Sequence, residues 1–406
     1  MINYYNYTTR KVRKLLYIIM FATAILSYYG LSFPQTPQVI KFFYSSCIWL
    51  TIIFFPYRLF NNNDLGKNVV FLIKCIAFLA CFALLRSIFT DNEHIAGNKW
   101  ISLLGNDQFF FMLLVPVYML IGTMDSSLRL IQKYFYIMLL IGVWGIFVGQ
   151  NIMSKSLFLG VIFLPYVGKK YRYLIYVTIL QAFIAAFFQA ETSRTMILVV
   201  ALSVISYIIV YKIKRILILK AYVITLIIAF GLYTILTLLI PDFSIINILL
   251  SSLAEYSGDS SLTTDTRTFL FWEMASDLTK SDAWILGKGA YSAYYSAYFD
   301  DIGRDSNYRM AVEVTFLTYI LRSGLLFIAI YYSLITIVVL KAINKGQSQF
   351  IRMCAMMGAN WCLLSYISYL NGYNFIYVSF FILLGCCASK KWLQKSDNEI
   401  KQMFVS

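Results

Sequence analysis

Residues 263–324 read TTDTRTFLFWEMASDLTKSDAWILGKGAYSAYYSAYFDDIGRDSNYRMAVEVTFLTYILRSG. This is the one long polar passage in a chain otherwise built of apolar runs and short joints. Spans long enough to cross a bilayer precede it, and two or three more follow. Any chemistry the protein performs is expected here. Of the 406 residues, 60% are hydrophobic and only 13% charged, too few charges to cover a soluble fold of this size. Repeated apolar runs of about 17–25 residues predict an all-α polytopic membrane protein. The runs are continuous rather than alternating, which argues against a membrane β-barrel.

Sidedness follows from the basic residues. The net charge of +15 sits in the short joints between spans, as the positive-inside rule requires, and not in a nucleic-acid-binding patch. Twelve spans are predicted: 15–33, 42–55, 69–89, 109–122, 134–148, 157–167, 173–190, 196–211, 216–240, 325–340, 353–370 and 375–388. The first shows no small-residue cleavage pattern and is expected to remain as a signal anchor. Both termini are then cytoplasmic, in a single membrane domain over 1–406. A large periplasmic loop, 241–313, containing amphipathic helices, joins spans 9 and 10. Eleven of the nineteen acidic residues fall in that loop, on the predicted outer side. Cys47, Cys75, Cys81, Cys354, Cys362, Cys386 and Cys387 lie in or beside apolar runs without ligand spacing and read as small core residues. With His94 the lone histidine, no His/Cys metal site can be built, and no cofactor is expected.

Several residues carry a functional reading beside a bland one. Lys74 and Arg86 lie in span 3 near its two ends, where both can snorkel to the interface. His94, in an outer joint without a visible partner, reads as incidental. Arg194 follows Ser193 at the outer mouth of spans 7 and 8; it is either an interface anchor or a phosphate ligand. Residues 266–278 predict an amphipathic helix on the membrane surface. Arg267, in its first turn, is either a surface charge or a second phosphate ligand. Gly287-Lys288-Gly289 reads as a flexible turn, lacking the strand–turn–helix setting of a nucleotide loop. Tyr291, Tyr294, Tyr295 and Tyr298 fall at helical spacing and suit an aromatic belt or a sugar-stacking face. Arg309 and Glu313 would share a helical face and could pair. Glu313 is either that ion-paired carboxylate or a general base whose pKa rises through partial desolvation.

The order of these features resembles the bacterial O-antigen polymerase and O-antigen ligase superfamily. The resemblance rests on Ser193-Arg194 after the seventh span, Arg267 and Trp272 in a large loop, Gly287-Lys288-Gly289, and Glu313 eleven residues before Gly324-Leu325. It implies a metal-independent membrane glycosyltransferase in the bacterial inner membrane. Its donor would be a glycan linked to polyprenyl (undecaprenyl-type) pyrophosphate. Arg194 and Arg267 match the family's pyrophosphate-binding positions, with Arg309 a further candidate, and Glu313 takes the catalytic position. Ligases usually carry His followed by Asn there; Glu313-Val314 departs from that pattern and fits a polymerase better. The resemblance thus implies an enzyme of lipopolysaccharide biosynthesis that works on lipid-linked repeat units, with a chain-length regulator as a candidate partner. The other two readings are a ligase and a lipid-linked oligosaccharide flippase. A flippase would be expected to line its spans with ionisable groups, whereas these spans are nearly charge-free.

Overall fold

Helices dominate, because backbone polar groups inside an apolar slab have no partner except one another. The computed structural model describes residues 14, 16–22, 25, 38–54, 64–89, 103, 107–147, 160–166, 172–173, 175–177, 179–180, 190–239, 268–297, 307–310, 312, 314–367 and 375–405. Its helices are α1 (Gln38–Phe54), α2 (Lys67–Phe89), α3 (Asp107–Gly122), α4 (Asp125–Phe147), α5 (Ala190–Tyr207), α6 (Ile216–Leu239), α7 (Thr268–Lys280), α8 (Thr315–Lys345), α9 (Gln349–Ile367), α10 (Phe375–Ala388), α11 (Lys390–Leu393) and α12 (Asp397–Val405). A two-stranded antiparallel pair, β1 (Tyr294–Tyr295) and β2 (Tyr308–Arg309), sets Tyr294 opposite Arg309.

The core forms around α8 and α10. α8 packs on α2, α9 and α10; α10 packs on α3, and α9 on α5 and α6. α10 is apolar on every side, and a helix without a polar face must be surrounded; all its side chains but Ile376 are buried. Where α3 crosses α10, Gly122 and Gly385 let the backbones meet. A methyl group on Gly385 would strike the Met119 carbonyl, and one on Gly122 the Ile382 carbonyl. Small residues at such crossings are the usual means of close approach between membrane helices.

The outer surfaces are greasy. α2 turns Ile73, Ile76, Ala80 and Ala83 inward and Phe71, Phe78 and Phe89 outward, with Phe89 83% exposed. α6 likewise presents Leu217, Ile224, Ile228 and Leu232. Water would penalise such surfaces; a bilayer would not. Among the described residues, three helices, Lys67–Phe89, Ile216–Tyr233 and Thr315–Lys345, are long and apolar enough to cross a membrane alone, and α3 and α4 form a pair bent by 111°. Most of predicted spans 1 and 7 and of the loop 241–313 lies outside the described residues.

Three local differences from the sequence expectation have physical reasons. Residues 123–133, expected as a joint, are mostly helix: Asp125 opens α4, placing its carboxylate at the positive end of the helix dipole. The stretch Glu191–Thr195, expected as a loop, lies within α5. Beyond Tyr207, α5 continues as a π-helical turn, Ile208–Ile213, closed by Lys214 at φ 60°.

Carboxylates tie one end of the bundle. The Asp64 backbone and side chain accept from the amides of Lys390 (3.0 Å) and Lys391 (2.8 Å). Asp125 pairs with Lys391 and Lys395. Asp397 accepts from the amides of Gln349 (3.0 Å) and Phe350 (3.3 Å) at the start of α9. Ser396 and Glu399 cap α12 reciprocally, the Ser396 amide donating to the Glu399 carboxylate at 2.7 Å and the Glu399 amide to Ser396 Oγ at 3.4 Å. The candidate site lies at the opposite end.

Gly385→Val should abolish monodisperse folded protein, read by size-exclusion chromatography of a fluorescent fusion. Gly231→Ala, whose new methyl meets nothing within 4 Å, should leave the profile unchanged and stabilise by up to about 1 kcal/mol through helix propensity.

Candidate functional site

α8 is broken at Gly324, which adopts φ 75° and ψ −178°, a region essentially closed to residues with a side chain. A break there orphans four backbone groups. In an unbroken helix the amides of Leu325 and Leu326 would donate to the carbonyls of Leu321 and Arg322. Here the Leu325 amide donates to the Trp284 carbonyl at 2.8 Å and Leu326 to Ile285 at 3.2 Å. The Leu321 carbonyl accepts from the Lys288 amide at 2.7 Å, and Arg322 from Gly289 at 3.0 Å. All four groups are therefore satisfied by residues 284–289, a turn that runs into the gap between the two halves of α8.

Only glycine fits that turn at two positions. Gly287 has φ 69° and Gly289 φ 101°. A side chain at Gly287 would meet the backbone of Arg322 and Ser323 at 2.5 Å; one at Gly289 would meet Ser87 Oγ at 2.6 Å. The far side of the turn is held by the C-terminal end of α2. The Ala290 amide donates to the Ala83 carbonyl at 3.0 Å, and the Tyr291 amide to Ser87 Oγ at 2.8 Å. Arg86 Nη1 donates to the Gly287 carbonyl. The expected flexible turn is thus a clamped plug between α2 and α8.

α7 lies over the plug. Its apolar face, Leu270, Phe271, Met274 and Leu278, is buried, while Trp272, Ser276, Thr279 and Lys280 are exposed. Phe271 reaches Tyr366 of α9, with ring centroids 5.1 Å apart. Asp277 on its other side pairs with Lys288, both largely buried.

Cations gather around this turn. Arg322 is 1% exposed and sends Nη2 to the Met310 carbonyl at 3.4 Å. Arg309, one residue before Met310, is half-buried in β2. Arg86 contacts the plug, Lys288 lies within it and pairs with Asp277, Arg322 precedes the break beside it, and Arg309 pairs in the strand that follows. Guanidiniums favour phosphate where they meet a ligand.

The sequence-derived site is only partly in view. Arg194 lies in α5, five residues from its start; its side chain is outside the described residues. Arg267 and Glu313 are also outside them, each beside a described element. Arg267 directly precedes α7. The neighbours of position 313, Val312 and Val314, are buried, and the Thr318 hydroxyl donates to their carbonyls at 3.3 and 3.0 Å. His94 and Tyr298 lie outside the described residues as well.

Three expectations need correction. Arg309 is in a strand, so the helical i,i+4 face it was to share with Glu313 does not form. Pairing with β1 takes that segment out of the helix. Tyr291, Tyr294 and Tyr295 are not on a helix either: Tyr294 and Tyr295 form β1, and Tyr291 and Tyr294 are 3% and 0% exposed, core residues rather than a belt. Arg86 does not merely snorkel; it holds the plug. Arg322 was not singled out from sequence, although an arginine inside an apolar run two residues before a glycine was a visible signal.

Residues 179–332 match the O-antigen ligase family model. The match covers α5 with Arg194, α6, α7, the plug and α8 past its break. Over that stretch the chain is similar to the O-antigen ligase and polymerase superfamily. No curated protein and no solved structure matches it. The family so matched acts in surface-polysaccharide assembly, on lipid-linked polysaccharides at a bacterial inner membrane.

Gly324→Ala and Gly287→Ala should each destabilise the protein by more than about 2 kcal/mol, since each adds backbone strain and a clash; thermal melting in detergent checks this. Lys288→Met alone should lower the melting temperature more than Lys288→Met combined with Asp277→Leu, because the single change leaves a largely buried carboxylate uncompensated.

Proposed function

We propose that the protein is an O-antigen or related surface-polysaccharide polymerase. It transfers a growing glycan from polyprenyl pyrophosphate to a lipid-linked repeat unit at the periplasmic face, with inversion at the anomeric carbon. The observation that carries this reading is the family match across the polar interval, combined with Glu313-Val314 at the position where ligases usually have His-Asn.

The chemistry needs few parts. The acceptor hydroxyl attacks the anomeric carbon of the donor sugar. The bond from that carbon to the phosphate oxygen breaks, and the pyrophosphate leaves with the electron pair. The hydroxyl proton passes to the Glu313 carboxylate, acting as general base. Arg194 and Arg267 bind the pyrophosphate and offset the negative charge that grows on it as the bond breaks. Arg309 adds positive charge from the rim. The donor bond is already activated, so neither a nucleotide nor a metal is required. The basic, carboxylate-tied end of the bundle faces the cytoplasm in this scheme, and the plug faces the periplasm.

The family match favours group transfer over the flippase reading. Within the superfamily, the ligase reading is separated by deleting the gene and running the cell's lipopolysaccharide on a gel. A polymerase deletion leaves core bearing a single repeat unit; bare core would instead identify a ligase. Arg194→Ala, Arg267→Ala and Glu313→Ala, each at normal protein level, should each lose the long ladder, with loss of the base costing about 100-fold or more in rate. Full ladders in all three would remove these residues from the site.

A further inference from the structure

The structure assigns a second binding site, for the headgroup of an anionic phospholipid, at the end of the bundle away from the plug. A cavity of about 460 Å³ is lined by Tyr17, Asp125, Ser126, Arg129, Leu130 and Lys133. Arg129 and Lys133 are successive residues on one face of α4 and both are exposed. Lys133 Nζ stands 5.6 Å from the centre of the Tyr17 ring. Tyr17 is fixed in turn, because its carbonyl accepts the Tyr134 hydroxyl at 3.3 Å. The one carboxylate in the lining, Asp125, is already matched by Lys391 and Lys395 outside the cavity wall. The lining is therefore cationic overall, and an anion entering it meets two positive groups without a competing free acid.

What selects a lipid over a soluble anion is the surface that continues from the cavity. Ile137 follows Arg129 and Lys133 on the same face of α4, and it is exposed. Ile18 and Phe21, in the helical segment that carries Tyr17, are 47% and 54% exposed. One phosphodiester can thus sit between Arg129 and Lys133 while its acyl chains run along Ile18, Phe21 and Ile137. This is the arrangement in which basic groups at a membrane surface hold anionic headgroups. The site does not depend on which face of the membrane this end occupies, nor on the polymerase reading.

The test uses the full-length protein purified in detergent, with phosphatidylglycerol, phosphatidylcholine of the same acyl chains, and inorganic phosphate as probes. Thermal unfolding is followed by tryptophan fluorescence. Phosphatidylglycerol should raise the melting temperature above that with phosphatidylcholine. Arg129→Gln with Lys133→Gln should weaken phosphatidylglycerol binding roughly 30-fold, while Lys345→Gln, a basic residue outside the cavity lining, should keep it. Equal stabilisation by the two lipids, an unchanged response in the double variant, or stabilisation by inorganic phosphate as large as by phosphatidylglycerol would each overturn the proposal. Should the double variant fail to fold, native mass spectrometry of the wild-type protein decides. One phosphatidylglycerol retained in preference to phosphatidylcholine supports the site, and no preference overturns it.

Discussion

Four backbone hydrogen bonds at the Gly324 break hold the plug end of the molecule together. A broken helix in an apolar environment leaves amides and carbonyls that cost several kcal/mol each if unmet. Residues 284–289 meet all four, so the break and the turn are stable only as a pair. That pairing fixes everything attached to either part. The first half of α8 begins beside position 313, and Arg322 sits two residues before the break. The turn carries Lys288 to Asp277 of α7, which begins directly after Arg267. Residues far apart in the sequence are therefore placed relative to one another by backbone geometry rather than by flexible side chains.

The two ends of the bundle are built on opposite principles. At one end the carboxylates of Asp64, Asp125 and Asp397 are spent on amides and lysines, which closes the termini of α4, α9 and α11. At the other, Lys288 pairs with Asp277 while Arg86 and Arg322 donate to backbone carbonyls. A structural end needs neutralised charge; the end proposed to receive a pyrophosphate must offer cations to it. The same contrast explains why a break is tolerated in α8. Non-helical backbone at membrane depth survives where protein covers it or where it lines a cavity, and here α2 and the plug cover it.

The helical membrane class and the likeness to the O-antigen superfamily could be read from sequence because both rest on long signals: apolar run length, and the order of Ser193-Arg194, Arg267, Gly287-Lys288-Gly289 and Glu313. Short-range patterns misled where tertiary pairing intervened. The tyrosines from Tyr291 onward carry helical spacing, yet Tyr294 and Tyr295 form a strand because Tyr308 and Arg309 lie opposite. Gly287 and Gly289 announce a turn, but nothing local says that its partner is a helix break more than thirty residues on. Arg86 and Arg322 are single charges in apolar runs, and their partners, the carbonyls of Gly287 and Met310, are backbone atoms that leave no trace in residue type. Start points of α4 and α5 shifted for a simpler reason: polar residues such as Asp125 and Glu191 serve a helix's first turns as well as a loop.

Hydrogen exchange of the native protein, resolved by mass spectrometry, reads whether the plug and the Gly324 break protect one another. The amides of Lys288, Gly289 and Ala290, in a turn, and of Leu325 and Leu326, at a helix break, are each predicted to exchange as slowly as the middle of α8. Rapid exchange at these five positions, against a protected α8, would contradict the account.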